Sequence, residues 1–377
     1  MPLGADMPSS EVLEFETLLA PLGDGAPCGD DLRADASPTS LYYTIKDGRS
    51  AARATERQAV LDGEDASGRA DWRPVLDNGR KALSSKSKDL EVVAYMIEAL
   101  VRQKGFPGLR DGFRLARELI ERFWDDLYPR PDEDGLETRI APLTGLNGDD
   151  AEGTLIGPIT QVPLTQGSNV GPFAYHHYQQ ASALNQLNED ARQKRIDQGA
   201  VTLEQFERAI TETPASFFGT LVEDITSCQE EFSRLGTVLY EKCGSQSPPT
   251  SNIQSALESC LETVRNTARD KLASLQAIEA MAEAAAEAPT DGTGAAEPGA
   301  PSGAIRSRED ALLSLLKVAD WFRRNEPHTP VSYALEQAVR WGRMSLPELL
   351  GELIPEEGSR KYFFERVGIR HEVPPSE

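Results

Sequence analysis

The sequence predicts a mainly α-helical protein, and three observations predict it. Apolar residues recur at three- and four-residue spacing through most of the 377 residues, as helices with one buried face require. Capping signals, a Ser, Thr or Asp with a polar partner three places on, precede several of those runs. Only Thr154 to Thr165 is rich enough in Ile, Val and Thr to compete as β-structure, and Pro158 and Pro163 limit it to a short β-hairpin near 154–165.

In order, Ser10 to Ala20 reads as a short helix burying Val12, Phe15, Leu18 and Leu19. The stretch PLGDGAPCGDDLRADASPTS cannot propagate a helix because Gly, Pro, Asp and Ser dominate it. Leu41 to Val60 reads as helix broken at Asp47-Gly48, and Gly63 to Ala70 as a loop. Asp71 can cap a helix that carries Trp72, Val75, Leu76 and Leu83 at helical spacing. Ser87-Lys88-Asp89-Leu90 opens another, with Val93, Ala94, Ile97 and Leu100 behind it. Gly105-Phe106-Pro107-Gly108 is a turn into a third helix from Leu109 to Tyr128. Such short connections favour antiparallel neighbours, hence a helical bundle or a TPR-like stack.

Thr202 and Gln205 form a capping box for a helix through Ile210. A longer helix runs from Ala215 to Lys242, and a further one from Ser251 to about Ala285. The spacing of Ile253, Leu257, Leu261 and Val264 supports a helical hairpin or short coiled coil, and equally two helices packed within one domain. Ala284 to Gly303 is Ala/Gly/Pro-rich with no large apolar residue, the composition of a flexible linker. Beyond it Ser307 and Asp310 start a helix with Leu312, Leu315, Leu316, Ala319 and Phe322 on one face, ending near Asn325. Thr329-Pro330 restarts the chain as a helix, and Ser345 with Glu348 forms a further box ahead of Leu349, Leu350 and Leu353. Four segments result: a helical N-terminal domain over 1–181, a helical middle region over 182–283, the linker over 284–303, and a small helical C-terminal module over 304–377.

Charge separates the ends. Of 39 basic and 61 acidic side chains, 11 and 12 fall from Ala304 to Glu377, leaving 28 and 49 before it. A formal charge of −22 repels phosphate backbones and anionic membrane faces, so nucleic acid is not an expected partner. The near-neutral module, by contrast, can approach copies of itself. Four cysteines without a C-x-x-C pair indicate a reducing compartment. The first residues lack a signal peptide's basic and apolar regions, and no apolar run reaches membrane-spanning length, so a cytoplasmic location is expected.

Chemistry is sparse. Walker, dinucleotide, H-E-x-x-H and G-x-S-x-G motifs are all missing. Asp132-Glu133-Asp134-Gly135 lacks the ligand register of a calcium loop. His176 and His177 are adjacent, about 100° apart on a helix, and do not form an i, i+4 ligand pair. Cys28 sits among acids that raise a thiol pKa and oppose a nucleophilic role. His328 lies between two prolines and reads as a local hydrogen-bonding residue. No catalytic, cofactor-binding or metal residue is therefore expected, and no cofactor.

Three stretches carry a resemblance. PCGDDLRAD, with Asp71-Trp72 and Val75, is one. The second is the long run from SKDLEVVAYMIEALVRQKGFPGLRDGFRLARELIERFWDDLYPRPDEDGLETRIAPLTGL, and the third is FRRNEPHTPVSYALEQAVRWGRMSLPELLGELI. Together they resemble the TssA (ImpA-type) proteins of the bacterial type VI secretion system, over roughly 11–181 and 307–354. The resemblance implies an ImpA N-terminal-like fold for the first domain. It also implies a non-enzymatic cytoplasmic component acting at the baseplate and in assembly of the contractile tail tube and sheath. Family members form ring-like homo-oligomers through their C-terminal regions, which makes Trp321, Phe322, Trp341, Leu346 and Leu350 the candidate oligomerisation residues. Expected partners are other copies of the chain, baseplate, tube and sheath components, and the membrane complex. The competing readings are a generic helical adaptor, and an enzyme or small-molecule binder using the acidic body.

Overall fold

A computed structural model describes residues 8–62, 70–133, 135–149, 151–167, 169–287, 308–325, 330–344, 349 and 352. Among them run fourteen α-helices: α1 (Phe15–Leu18), α2 (Leu41–Leu61), α3 (Arg73–Ser85), α4 (Leu90–Phe123), α5 (Glu137–Asn147), α6 (Ile156–Gln161), α7 (Tyr175–Leu184), α8 (Glu189–Asp197), α9 (Leu203–Glu212), α10 (Ala215–Cys243), α11 (Ser251–Thr267), α12 (Arg269–Glu287), α13 (Arg308–Asn325) and α14 (Val331–Arg343). Two 3-10 turns, Leu32–Ala34 and Gly244–Gln246, join them, and β-pairing among the described residues is limited to isolated bridges. The mainly α-helical class is what the structure shows. The chain divides into two compact units, Met1–Pro289 and Thr290–Glu377.

The first unit is built around α4, which is a hairpin and not a rod. Gly105 takes φ 60° and ψ −142°, outside helical geometry, so two limbs meet there. Fifteen residues of continuous helix span about 22 Å, yet a Cβ on Gly112 would lie 2.8 Å from Ile97 Cγ1. The limbs are therefore folded face to face, and glycine is what lets them touch. The turn read at 105–108 is this reversal, with Pro107 in the first turn of the second limb, where a missing N–H leaves no bond unmade.

Other helices pack around that hairpin. α3 meets the first limb closely, since a Cβ on Gly79 would lie 2.6 Å from Met96 Cγ. α10 lies along the second limb, bringing Phe232 to a ring-centroid distance of 4.7 Å from Phe113. One cluster of buried side chains then runs from Leu13 through Trp72, Met96, Phe113, Phe206 and Phe218 to Ala268. The division expected at 181/182 falls inside this core, because α10 packs on α4, α11 on α5 and α6, and α9 on α7.

Local expectations fared unevenly, for physical reasons. α2 is continuous across Asp47-Gly48: one glycine costs about 1 kcal/mol in a helix, and Tyr42, Ile45, Ala52 and Ala59 are buried on both sides of it. The β-hairpin expected near 154–165 is instead α6. Leu155 and Ile159, four apart, are both fully buried, and Pro158 occupies the first turn, where it is tolerated. Pro163 stops the helix by forcing Val162 extended, at φ −63° and ψ 128°. The helix expected from Ser251 to Ala285 breaks at Ala268, φ −106° and ψ 20°, where Lys271 turns to donate to the Thr211 and Thr213 carbonyls. α3 starts at Arg73, one residue later than an Asp71 cap requires, although the Asp71 carboxylate still accepts the Arg73 N–H at 3.1 Å. The Thr202/Gln205 box is present, with Gln205 N donating to Thr202 Oγ1 and Thr202 N to Gln205 Oε1.

In the second unit α13 and α14 form an antiparallel pair. Leu312 and Ala319 on one face Ser332 and Val339 on the other, all buried, and Leu312 packs on Gly342, where a Cβ would lie 2.7 Å from its Cδ2. Arg323 bonds Glu336 across the pair. The linker expected over 284–303 starts inside α12, which runs to Glu287; its remainder over 288–303, the caps at Ser307 and Ser345, and His328 lie outside the described residues.

Candidate functional site

The densest polar arrangement lies where the PCGDDLRAD stretch meets the start of α4. Backbone bonds dock the two: Lys88 N donates to Cys28 O at 2.8 Å and Asp30 N to Lys86 O at 3.0 Å. Tyr128, at the far end of the hairpin, closes the other side, with Leu90 N donating to its carbonyl at 2.7 Å. Asp89 then caps α4, accepting from Glu91 N and Val92 N. Its other oxygen takes Arg33 Nη1 at 2.7 Å, and Arg33 also bonds Glu91. Against burial, Asp89 and Glu91 hold the Arg33 guanidinium charged, with its pKa raised.

A polar seam continues along α2 and α4. Tyr42, Arg49 and Glu56 recur every seven residues on α2 and meet Glu91, Glu98 and Arg102 on α4. The Tyr42 hydroxyl donates to Glu91 at 3.2 Å, and burial, then Glu91, pushes its pKa up to about 12. Arg49 grips Glu98 with Nε at 2.9 Å and Nη2 at 2.7 Å, and Thr154 Oγ1 donates to the same carboxylate at 2.5 Å. Glu56 takes Trp72 Nε1 at 2.8 Å and Arg102 Nε at 2.6 Å, while the Arg102 guanidinium stacks 4.2 Å over the Trp72 ring. A cleft of ≈ 680 Å³ opens beside this seam between α2, α4 and α5.

These groups are engaged with one another, which makes the seam a lock between helices. Lys88 is fully buried and donates to the Leu18 and Leu83 carbonyls at 2.7 and 2.6 Å; burial lowers its pKa to about 8. Burial first, and the Asp126 carboxylate second, pushes the Cys28 thiol up to about 11, which keeps it protonated near neutrality. The His176 and His177 ring centroids lie 3.8 Å apart with the planes tilted by 39°, and His177 Nδ1 accepts from Ala174 N at 3.0 Å. Among the described residues no three His, Cys, Asp or Glu side chains converge as a metal site, and no helix is long and apolar enough to cross a membrane.

The first unit resembles a solved structure, the N-terminal domain including the conserved ImpA_N region of the TssA component of the type VI secretion system from Burkholderia cenocepacia. The TM-score is 0.57 at 24% identity, over 72% of this chain and 98% of that one. The family described as ImpA, N-terminal, type VI secretion system matches residues 19–148, the span that contains the docked motif and the whole α4 hairpin. A curated relative, the type VI secretion system component TssA1 of Pseudomonas aeruginosa, is 29% identical over 355 residues, 92% of this chain and 96% of its own. Residues 19–148 thus match the ImpA N-terminal region, and over most of its length the chain is similar to a TssA component of the type VI secretion system.

Within this chain the candidate oligomerisation residues are placed unevenly. Trp321 is 54% exposed on α13, its ring 5.1 Å from that of Phe322 and at 88° to it. Phe322 is half-buried, as is Trp341 on α14, whose buried Nε1 finds no hydrogen-bond acceptor among the described residues. Leu346 and Leu350 lie outside the described residues. Sequence reasoning missed Val318, Val331 and Tyr333, which are 45%, 37% and 67% exposed on the same two helices. It also missed the seam, although charged and tyrosine residues every seven positions in an amphipathic helix were a findable signal.

Proposed function

We propose that this chain is a non-enzymatic, cytoplasmic scaffold of a type VI secretion system, in which the C-terminal unit joins copies into a ring-like homo-oligomer. The N-terminal units then project from that ring and act at the baseplate during assembly of the tail tube and sheath. Partners in this reading are other copies, baseplate, tube and sheath components, and the membrane complex.

One observation carries the reading. Among the described residues the two helices bury a thin seam between them, Leu312 and Ala319 against Ser332 and Val339, while Val318, Trp321, Val331 and Tyr333 are exposed. Small helical units with that much outward apolar surface are stabilised by association. The count of 11 basic and 12 acidic residues from Ala304 to Glu377 leaves little charge to oppose it. Trp341, Phe322, Leu346 and Leu350 are the further residues assigned to this assembly.

Light scattering on the full chain with Leu350→Asp tests it, with circular dichroism as the folding control. The expected result is a smaller particle with unchanged helix content. An unchanged particle size would remove the C-terminal unit from assembly. Co-purification with baseplate subunits then separates a secretion scaffold from a generic helical adaptor.

A further inference from the structure

The chain carries a formal charge of −22, yet one side of α2 is basic. At about 100° per residue, Lys46, Arg53 and Arg57 share one side of the helix and Arg49 borders it. That side flanks the packed one: buried Tyr42 lies at its border, with Lys46 Nζ 5.5 Å over its ring, and Ile45, Ala52 and Ala59 are buried about 100–140° further round.

The local charges do not cancel. Arg49 is matched by Glu98 and Arg102 by Glu56. Glu98 already accepts two bonds from Arg49 and one from Thr154. Arg53 and Arg57 make no ion pair with any described residue, and Arg53 is half-buried. Burial lowers the Arg53 pKa, and Arg49, Arg102 and Arg57 lower it further against the pull of Glu98. A half-buried guanidinium hemmed in by three others gains most from an incoming carboxylate.

The surroundings add shape. Val60, 62% exposed, follows Arg57 on the same side of α2. Arg49 lines the ≈ 680 Å³ cleft, and Arg102 lines a second of ≈ 990 Å³ together with Trp72, Lys104 and Val162. The basic side of α2 thus has one cleft at its Arg49 border and an apolar side chain at its end.

We propose that this side of α2 docks a short acidic segment of a partner protein, its carboxylates on Arg53 and Arg57 and an apolar side chain on Val60. Nucleic acid fits poorly, because a duplex brings one charge per roughly 1.7 Å against an acidic body. A few carboxylates on an otherwise weakly charged chain feel mainly the local arginines, since charges beyond about 8–10 Å are screened. A second copy would bring another acidic body, with 49 acidic and 28 basic side chains before Ala304. The site does not depend on how the C-terminal unit assembles, so it stands or falls separately from the scaffold.

Fluorescence anisotropy tests it on the full chain, with a labelled peptide of six glutamates and two leucines as probe at low salt. The wild type and a Lys194→Glu/Arg195→Glu control on α8 are expected to bind. Arg53→Glu/Arg57→Glu should bind at least tenfold more weakly, and Arg53→Gln/Arg57→Gln should lie between, both with wild-type circular dichroism. Equal binding by the α2 variants and the control overturns the proposal, as does a lack of binding by the wild type. Tighter binding of a 20-mer oligothymidylate that the α2 variants lose would assign the surface to nucleic acid instead. A particle mass that changes with Arg53→Gln/Arg57→Gln would assign it to a second copy.

Discussion

Arg33 and Asp89 are 56 residues apart in the chain and 2.7 Å apart in the fold. Asp89 is fully buried and also caps α4, so this one ion pair fixes the docked loop to the helix around which the first unit is built. Removing one partner of a buried pair leaves the other uncompensated, which costs about 3–5 kcal/mol. Arg33→Ala should therefore lower the unfolding free energy of the first unit by about 3 kcal/mol, read from urea denaturation. A loss below about 1 kcal/mol would mean the pair is dispensable.

Lys88 gives the fold a pH dependence of definite sign. Its pKa falls from 10.5 to about 8 on burial. Between those values the unfolded chain holds a proton that the folded chain has lost, so stability rises as pH rises through the window. The shift is worth on the order of 3 kcal/mol. Thermal melts from pH 7 to 10 should show the wild type gaining on Lys88→Met. A difference that is flat with pH would contradict a buried, depressed lysine.

Gly105 should resist any side chain. Its φ of 60° with ψ −142° is a region that L-residues enter at a cost of about 1–3 kcal/mol, and a Cβ there would lie 3.2 Å from Val162 Cγ1. Gly105→Ala is expected to destabilise by that amount. Gly145→Ala, inside α5 with nothing within 4 Å of its Cβ, should be neutral or slightly stabilising. Equal effects at the two sites would mean that the α4 reversal does not need glycine.

Helix periodicity found most of the elements, because apolar residues at three- and four-residue spacing mark a buried face directly. Caps were legible where the side chain bonds its own helix, as with Thr202 and Gln205. What the residues hid was tertiary. The reversal at Gly105 depends on Gly112 meeting Ile97, the break at Ala268 on Lys271 reaching α9, and α6 on the burial of Leu155 and Ile159. The resemblance-bearing motifs were legible as strings, but their work as partners, Cys28 with Lys88 and Arg33 with Asp89, emerged only once the chain was folded. Of the apolar residues in the C-terminal module, periodicity could not separate the inward Leu312 from the outward Trp321.

Outward residues of the second unit carry the assembly prediction. Trp321 and Tyr333 are 54% and 67% exposed, so charging them should leave α13 and α14 folded. Trp321→Asp/Tyr333→Asp is expected to reduce the particle mass in light scattering without altering the far-ultraviolet spectrum. Val60→Asp on the first unit should leave the mass unchanged. Loss of mass with both substitutions would place assembly elsewhere.

Native mass spectrometry of the full chain at micromolar concentration tests the scaffold most directly. The expected result is a discrete multi-subunit species that Leu350→Asp or Trp321→Asp/Tyr333→Asp reduces towards the monomer. A wild-type chain observed only at its monomer mass of 41.2 kDa would contradict it.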